Sequence, residues 1–436
     1  MAKKPFKTEP GRYGKRAVPR GDRTRDTAKQ SFEDRGPKPP KPKPRFDRQG
    51  SAKPTDNKKE RIVHKQGFTT RPTLRINLGA IKSNYEAIQE KVGSVKIGVS
   101  VKADAYGLGI EPVSRALYGA GCRTFFVATA GEGKILREAI GDNASIYVLN
   151  GPAPQDLTLY FTFKLKPVIN SLDQARIWLN EADRARHAPF TALHIDTGMN
   201  RLGLSLPEVE QLSKNTGLYK SIAPDLIMSH LACAPDANNP MNAMQRERFQ
   251  RASAQFPLIP LSLANSAGIH LGKSYHFQLV RPGISLYGGQ ATKKIAQENI
   301  QPVVSLMAPV LQMRHVKAGE TIGYNATYRA ESDMKIAILG AGYADGVPIA
   351  SSSQSGSNKN KPSFVTLAKQ RVPIVGRVSM DLTVVDITRL TKAPSLGDWG
   401  EFRGENLQTD AQTIGTINYE LLVRLGQRCR RTYQKS

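Results

Sequence analysis

Cysteine is scarce in this 436-residue chain: Cys122, Cys233 and Cys429 are odd in number, far apart and contain no CxxC pair. That spacing excludes a disulfide framework and a zinc cage, and it fits a reducing cytoplasm. Long apolar runs are missing as well. No stretch of about 18 apolar residues occurs, and the basic start "MAKKPFKTEP" is not followed by the apolar segment of a secretory leader. Neither secretion nor a membrane span is expected. Acidic residues are few, 37 Asp+Glu against 63 Lys+Arg, for a net charge of +26. Spread evenly, that charge would point to nucleic acid or a membrane surface.

The excess is not even. Residues 1–67 hold 21 Lys+Arg against 8 Asp+Glu, a surplus of 13 that is half of the +26 total. This stretch ("RGPKPPKPKPRFDRQGSAKPTDNKKE") is almost empty of branched apolar residues and cannot bury enough surface to offset ordering entropy. It reads as a disordered basic extension. Contact with RNA or another anionic surface is open to it, but no interleaved aromatics support a nucleic-acid site.

From "TLRINLGAIKSNYEAIQEKVG" the pattern turns globular, with Ile81, Tyr85, Ile88 and Val92 at helical spacing after a short strand. Eight β-branched runs then alternate with amphipathic stretches over about 190 residues, which predicts a (β/α)8 barrel, with a doubly wound sheet as the other possibility. After about residue 300 the alternation gives way to short strands with Gly, Pro and Asp turns, a mainly β domain. The expected division is 1–67 extension, 68–300 barrel and 301–436 β domain, with the first strand joining the C-terminal domain. The polar run "SSSQSGSNKNKPS" (351–363) reads as a surface loop.

A barrel carries its chemistry at the C-terminal ends of its strands, and often holds a phosphate in the last two loops. Lys102 ends strand one, His194 and Asp196 lie on strand five with Arg201 beyond, and His230 ends strand six. Asn265 and Ser266 end strand seven; Arg281 to Gly283 stand on strand eight. "ANSAG" and "RPGIS" supply a hydroxyl, a tight turn and backbone donors suited to a phosphate dianion. A lone lysine beside such a cradle suggests pyridoxal 5'-phosphate (PLP), which needs both an amine and a phosphate site. No metal site is indicated.

With that, a resemblance emerges. "VSVKADAYGLG" resembles the PLP-lysine motif of the alanine racemase family, and "DTGMNRLG", "SHLACA", "ANSAG", "RPGISLYG", "GYNATY", "GYADG", "GRVSMD" and "TINYE" follow in that family's order across residues 70–428. The resemblance implies a PLP-bearing barrel, a C-terminal β domain, an amino-acid substrate and a homodimer in which each β domain covers the other barrel's mouth. It implies that Lys102 carries the cofactor as a Schiff base and serves as one base, with Tyr324 from the partner as the base on the opposite face. Arg281 would face the pyridine nitrogen, supported by His230, with Asn265 alongside. Tyr106, Ser266, Tyr419 and the backbone of Gly283 and Ile284 would hold the phosphate. Arg201 would meet the substrate carboxylate, completed by the Met380 backbone of the partner.

The chain also departs from the family. His194 stands where many members carry a lysine modified to an anionic carbamate, Leu108 where many have His, and Asn200 where many have Gly. Asp196, on the same side of the strand as His194, is placed to steady His194 or Arg201, with a bound solvent anion as the other candidate. The implied activity is alanine racemisation, supplying D-alanine for peptidoglycan. A broad-specificity racemase, a PLP decarboxylase and a non-catalytic PLP carrier are the alternatives. An arginine rather than an acid at the pyridine nitrogen argues against the second, and the β domain with Tyr324 against the third.

Overall fold

A computed structural model describes residues 69–182, 190–292, 299–355 and 362–435. The basic extension and residues 356–361 of the polar loop lie outside the described residues.

The barrel is built from strands rich in β-branched and aromatic residues, each followed by a helix. Its first strand comes in two pieces, β2 (Lys96–Ile97) and β3 (Val99–Ser100), after the short β1 (Thr73–Asn77). Gly98 separates the pieces, and a Cβ there would lie 2.6 Å from a ring carbon of Phe126. Next come β4 (Thr124–Val127), β5 (Ser145–Val148), β6 (Lys166–Ile169), β7 (Thr191–His194), β8 (Pro224–Met228), β9 (Leu261–Ser262) and β10 (Leu279–Val280). All neighbours from β3 to β9 pair in parallel. Closure follows from the parallel pairing of β10 with β2, and from the link between Asn265 and Arg281 that joins the ends of β9 and β10. With β2 and β3 counted as one strand, eight strands therefore form a closed barrel.

Every other residue of a strand faces inward. Phe126, Tyr147, Val168, Ala192, Leu226, Met228 and Leu279 meet in the lumen. The Tyr147 hydroxyl donates to Asp225 at 2.8 Å, and Asp225 pairs with Lys166 at the N-terminal end. A packed lumen leaves only the C-terminal end open to a ligand.

Helices clothe the outside. The first, Leu78–Val92, is started by the Asn77 side chain accepting the Ala80 N–H at 2.9 Å, and it buries Ile81, Tyr85, Ile88 and Val92. Ala130–Ile140 is capped by Thr129 and Glu132 in a reciprocal box.

The β region starts with β11 (Val304–Val316), a 13-residue strand. It continues through β12 (Thr321–Ile322), β13 (Tyr328–Arg329), β14 (Met334–Leu339), β15 (Phe364–Leu367), β16 (Gln370–Pro373), β17 (Thr383–Asp386), β18 (Trp399–Arg403) and β19 (Arg430–Gln434). β1 pairs antiparallel with β11 and parallel with β19. The first and last strands of the described chain thus sit in one sheet. Helix Asn418–Val423 brings this region back to the barrel mouth, where Ile417, Tyr419 and Val423 line the cavity.

Candidate active site

A cavity of about 820 Å³ occupies the C-terminal mouth of the barrel. Lys102 enters it directly after β3. The four residues that follow, Ala103, Asp104, Ala105 and Tyr106, have left-handed backbone, with φ of +53°, +55°, +51° and +57°. Such backbone costs an L-residue about 1–2 kcal/mol, so the turn persists only where its surroundings impose it. They do. Glu132 Oε1 accepts the Ala103 N–H at 2.6 Å, Asp104 Oδ1 accepts the Ile110 N–H at 2.7 Å, and Arg431 donates to the Gly107 carbonyl at 2.6 Å. Burial, helped by the Arg201 charge, lowers the Lys102 pKa, while Glu132 acts the other way. A lysine driven toward its neutral form is a nucleophile.

Across the cavity, the Ser266 hydroxyl accepts the Gly283 N–H at 2.8 Å and the Ser285 N–H at 3.4 Å. This draws the turn after β10 onto the turn after β9. Gly283 has to be glycine: a Cβ there would lie 2.2 Å from the Tyr106 hydroxyl. The Tyr106 ring stacks on Tyr287 with centroids 4.5 Å apart, and Tyr287 donates to the Ser100 carbonyl at 2.8 Å. The Tyr419 ring lies 6.2 Å from Tyr106, and Ile284 lines the same end. Burial raises the pKa of both Tyr106 and Tyr419, so each keeps its proton as a hydrogen-bond donor. Three hydroxyls, of Tyr106, Ser266 and Tyr419, line this end of the cavity beside the turn at Gly283 and Ile284, a donor-rich lining that suits a dianion.

Arg281 forms the wall between these ends. Its guanidinium donates to Ser262 Oγ and to the Ser229 carbonyl, each at 2.5 Å, and lies 3.5 Å from His230 Nδ1. Asn265 Nδ2 is 3.4 Å from His230 Nε2, and Asn265 Oδ1 accepts the Gly268 N–H at 2.9 Å. Burial lowers Arg281 to about 9, which leaves it protonated at neutral pH. Burial, then Arg281 and Arg201, put His230 well below its usual value and keep it neutral. His230 stands at the limit of hydrogen-bond distance from Arg281, whereas Ser262 and the Ser229 carbonyl are its close partners, and the strand pattern did not single them out.

His194 is buried at the end of β7, with Nδ1 2.8 Å from Asn170 Oδ1. Burial, Arg281 and Arg201 lower it to about 4, against the opposing pull of Asp196. Asp196 itself does not reach His194 or Arg201. Its Oδ1 accepts the Gly198 and Met199 N–H groups at 2.8 and 2.9 Å and shapes the loop that carries Arg201. Asn200 in that loop has φ +55°, a left-handed position that asparagine tolerates better than most residues and glycine takes freely. Asn170 went unnoticed in the sequence although it directly follows the fourth barrel strand in "LKPVIN", at the same end as the other polar groups.

The structure therefore brings together Lys102, Tyr106, Arg201, His230, Asn265, Ser266, Arg281, Gly283, Ile284 and Tyr419 around one cavity. Tyr324 and Met380 are not part of it. They lie in the β region, 68% and 52% exposed, Tyr324 on the turn between β12 and β13. The residues that line the cavity fit PLP: a nucleophilic lysine, a donor cradle for a phosphate, and a buried cation between them.

Comparison with known proteins gives a consistent picture. Residues 76–291 match the family model described as alanine racemase, N-terminal domain, and residues 303–433 match alanine racemase, C-terminal domain. The chain is 42% identical over 372 residues to the alanine racemase of Rhizobium meliloti, covering 83% of this chain and 96% of that one. It is 40% identical over 373 residues to the biosynthetic alanine racemase of Agrobacterium fabrum, covering 83% and 93%. The crystal structure of alanine racemase from Bartonella henselae with covalently bound pyridoxal phosphate superposes with a TM-score of 0.78 at 35% identity, over 84% of this chain and all of that one. The biosynthetic alanine racemase of Pseudomonas aeruginosa gives 0.76 at 30% identity, over 84% and 99%.

Proposed function

The chain belongs to the alanine racemase family and is a PLP-dependent racemase of L- and D-alanine; from that premise we propose which of its residues do the work. The observation that carries the reading is Lys102, its amine pushed toward neutrality, in one cavity with the cradle built on Ser266 and Gly283. When bound, PLP supplies an aldehyde for amine capture and a conjugated ring that spreads the charge left at the α-carbon. Lys102 holds it at one end. Tyr106, Ser266, Tyr419 and the Gly283 and Ile284 backbone bind its phosphate.

Arg281 faces the ring nitrogen, with His230 and Asn265 behind it. A guanidinium with a pKa near 9 only donates at neutral pH, so it would leave the ring nitrogen unprotonated and temper the electron sink that the bound cofactor would supply. Arg201 binds the substrate carboxylate. Racemisation needs a proton removed on one face and returned on the other. Lys102 Nζ moves it on one face, and Tyr324 of the partner subunit on the other, with the backbone of Met380 of the partner subunit completing the carboxylate site. The exposure of Tyr324 and Met380 on a chain whose own cavity they do not line supports a homodimer. D-alanine for peptidoglycan, made in a reducing cytoplasm, is the proposed role; the three free cysteines are consistent with that compartment. No helix among the described residues is long and apolar enough to cross a membrane.

Chiral analysis after incubating the PLP-loaded protein with L-alanine in deuterated water tests this. D-alanine carrying α-deuterium is expected, with little D-product from L-serine, L-lysine or L-arginine. Deuterium entering without inversion would remove Tyr324 from its role, and equal turnover of the long side chains would make the enzyme a broad-specificity racemase.

A further inference from the structure

His194 shares the cavity wall with Arg201 and Arg281, yet the proposed reaction gives it no task. Its hydrogen-bond direction follows from its neighbour. Asn170 Nδ2 lies 3.0 Å from the Val168 carbonyl and 3.1 Å from both the Leu149 carbonyl and Gln174 Oε1, all acceptors. Gln174 is oriented in turn, because its Nε2 donates to the Asn150 carbonyl at 2.9 Å while Oε1 accepts the Asn170 N–H at 2.8 Å. The Asn170 amide nitrogen must therefore face those acceptors, and its Oδ1 must face His194.

An amide oxygen only accepts, so His194 Nδ1, 2.8 Å away, carries a proton. Either the neutral Nδ1–H tautomer or the imidazolium satisfies this contact. The surroundings select the neutral ring. It is 8% exposed, and Arg281 and Arg201 bring positive charge to it from the last strand and from the loop beyond β7. His230, at the end of β8, is itself neutral. Asp196 alone opposes them, with its carboxylate committed to the Gly198 and Met199 N–H groups. Nε2 is left as a bare lone pair. Among the described residues neither this atom nor the Arg201 guanidinium has a hydrogen-bond partner, whereas the Arg281 guanidinium is anchored on Ser262 and Ser229.

We infer that His194 is a positioning residue for Arg201: Asn170 fixes the Nδ1–H tautomer, and the two unpartnered groups, not bonded to each other in this structure, meet when substrate binds, Nε2 accepting one Arg201 N–H so that the guanidinium turns toward the substrate carboxylate without an anionic partner. The inference rests on the role proposed above for Arg201. It has a physical consequence for affinity. An anionic partner would share the guanidinium charge with the substrate, whereas a neutral acceptor leaves that charge to the carboxylate.

The test combines nitrogen-15 NMR of the holoenzyme with steady-state kinetics. The His194 signal, assigned by its loss in His194→Gln, is expected to show a protonated Nδ1 and an unprotonated Nε2 at neutral pH. His194→Leu should raise KM for alanine roughly tenfold with kcat little changed, the pattern of lost ground-state and transition-state binding alike. His194→Gln, whose side-chain oxygen also accepts, should recover part of that loss. Asn170→Asp should stabilise the imidazolium beside Arg201 and make KM rise as pH falls through the neutral range, an acid limb absent from the wild type. A bare Nδ1, or an unchanged KM in folded His194→Leu while the wild type racemises alanine, overturns the inference alone. A wild type that does not racemise alanine overturns the functional reading, and the role of Arg201 with it, whatever the tautomer.

Discussion

The Ser266 hydroxyl holds two backbone donors, Gly283 and Ser285, in the turn that would take the cofactor phosphate. Hydrogen bonds to a charged group contribute about 1.5–3 kcal/mol, so Ser266→Ala should weaken PLP retention roughly tenfold to a hundredfold, as measured by equilibrium dialysis with absorbance of the bound cofactor. His194 makes a different prediction, about acid stability. An unfolded histidine titrates near 6.5, and in the folded chain His194 titrates at about 4. Between those values the unfolded chain holds a proton that the folded chain refuses, so stability rises with pH across that window. The contribution is complete above pH 6.5 and shrinks as pH falls toward 4, by about 3 kcal/mol in all. His230 acts in the same direction. The melting temperature of His194→Gln should therefore fall less steeply between pH 6.5 and 4.5 than that of the wild type.

Among the elements, the left-handed turn at 103–106 carries the most local strain. Ala103 has φ +53° and an exposed side chain, so Ala103→Gly removes the steric penalty of about 1–2 kcal/mol against about 0.5–1 kcal/mol of added chain entropy. The net is a gain of roughly 0.5–1 kcal/mol, visible as a higher melting temperature. Glu132→Ala should act the other way, leaving the Ala103 and Ala128 N–H groups without the acceptors they now meet at 2.6 and 2.8 Å. Loss of this clamp, with its share of a capping box, should lower the melting temperature by a few degrees and slow turnover, since the turn sets where Lys102 stands. The motif "VKADAYGLG" marked the lysine because a cation at the end of an apolar strand is anomalous. It did not mark the turn, since alanine and tyrosine carry no signal for positive φ and the one aspartate among them is a weak one. Beside the local Asp104 contact, the groups that impose it come from Glu132 and Arg431, outside the motif.

For the whole molecule, the question is how one cavity obtains two bases. Helix Asn418–Val423 of the same chain closes one side of the mouth, while Tyr324 stands exposed elsewhere. If a two-fold dimer brings Tyr324 of the partner subunit to each cavity, the interface repeats itself and each complete site draws on both chains. Mixing inactive Lys102→Ala and Tyr324→Phe proteins under subunit exchange should then restore about a quarter of wild-type activity, because about half the dimers are mixed and each has one complete site. No recovery after exchange, shown by native mass spectrometry, would place both bases within one chain.

By itself the sequence determined the barrel, the β region after it and the face that carries the chemistry, because strand alternation and the ends of strands are local properties of a chain. Lys102, Ser266, Gly283 and Arg281 could be placed at one mouth by counting strands alone. Only the tertiary structure decided how those groups are held: Ser262 and the Ser229 carbonyl on Arg281, Asn170 on His194, and Asp196 turned into its own loop rather than toward its neighbours. Hydrogen-bond direction and charge state depend on which distant groups face each other across a buried space, and that proximity is created by folding.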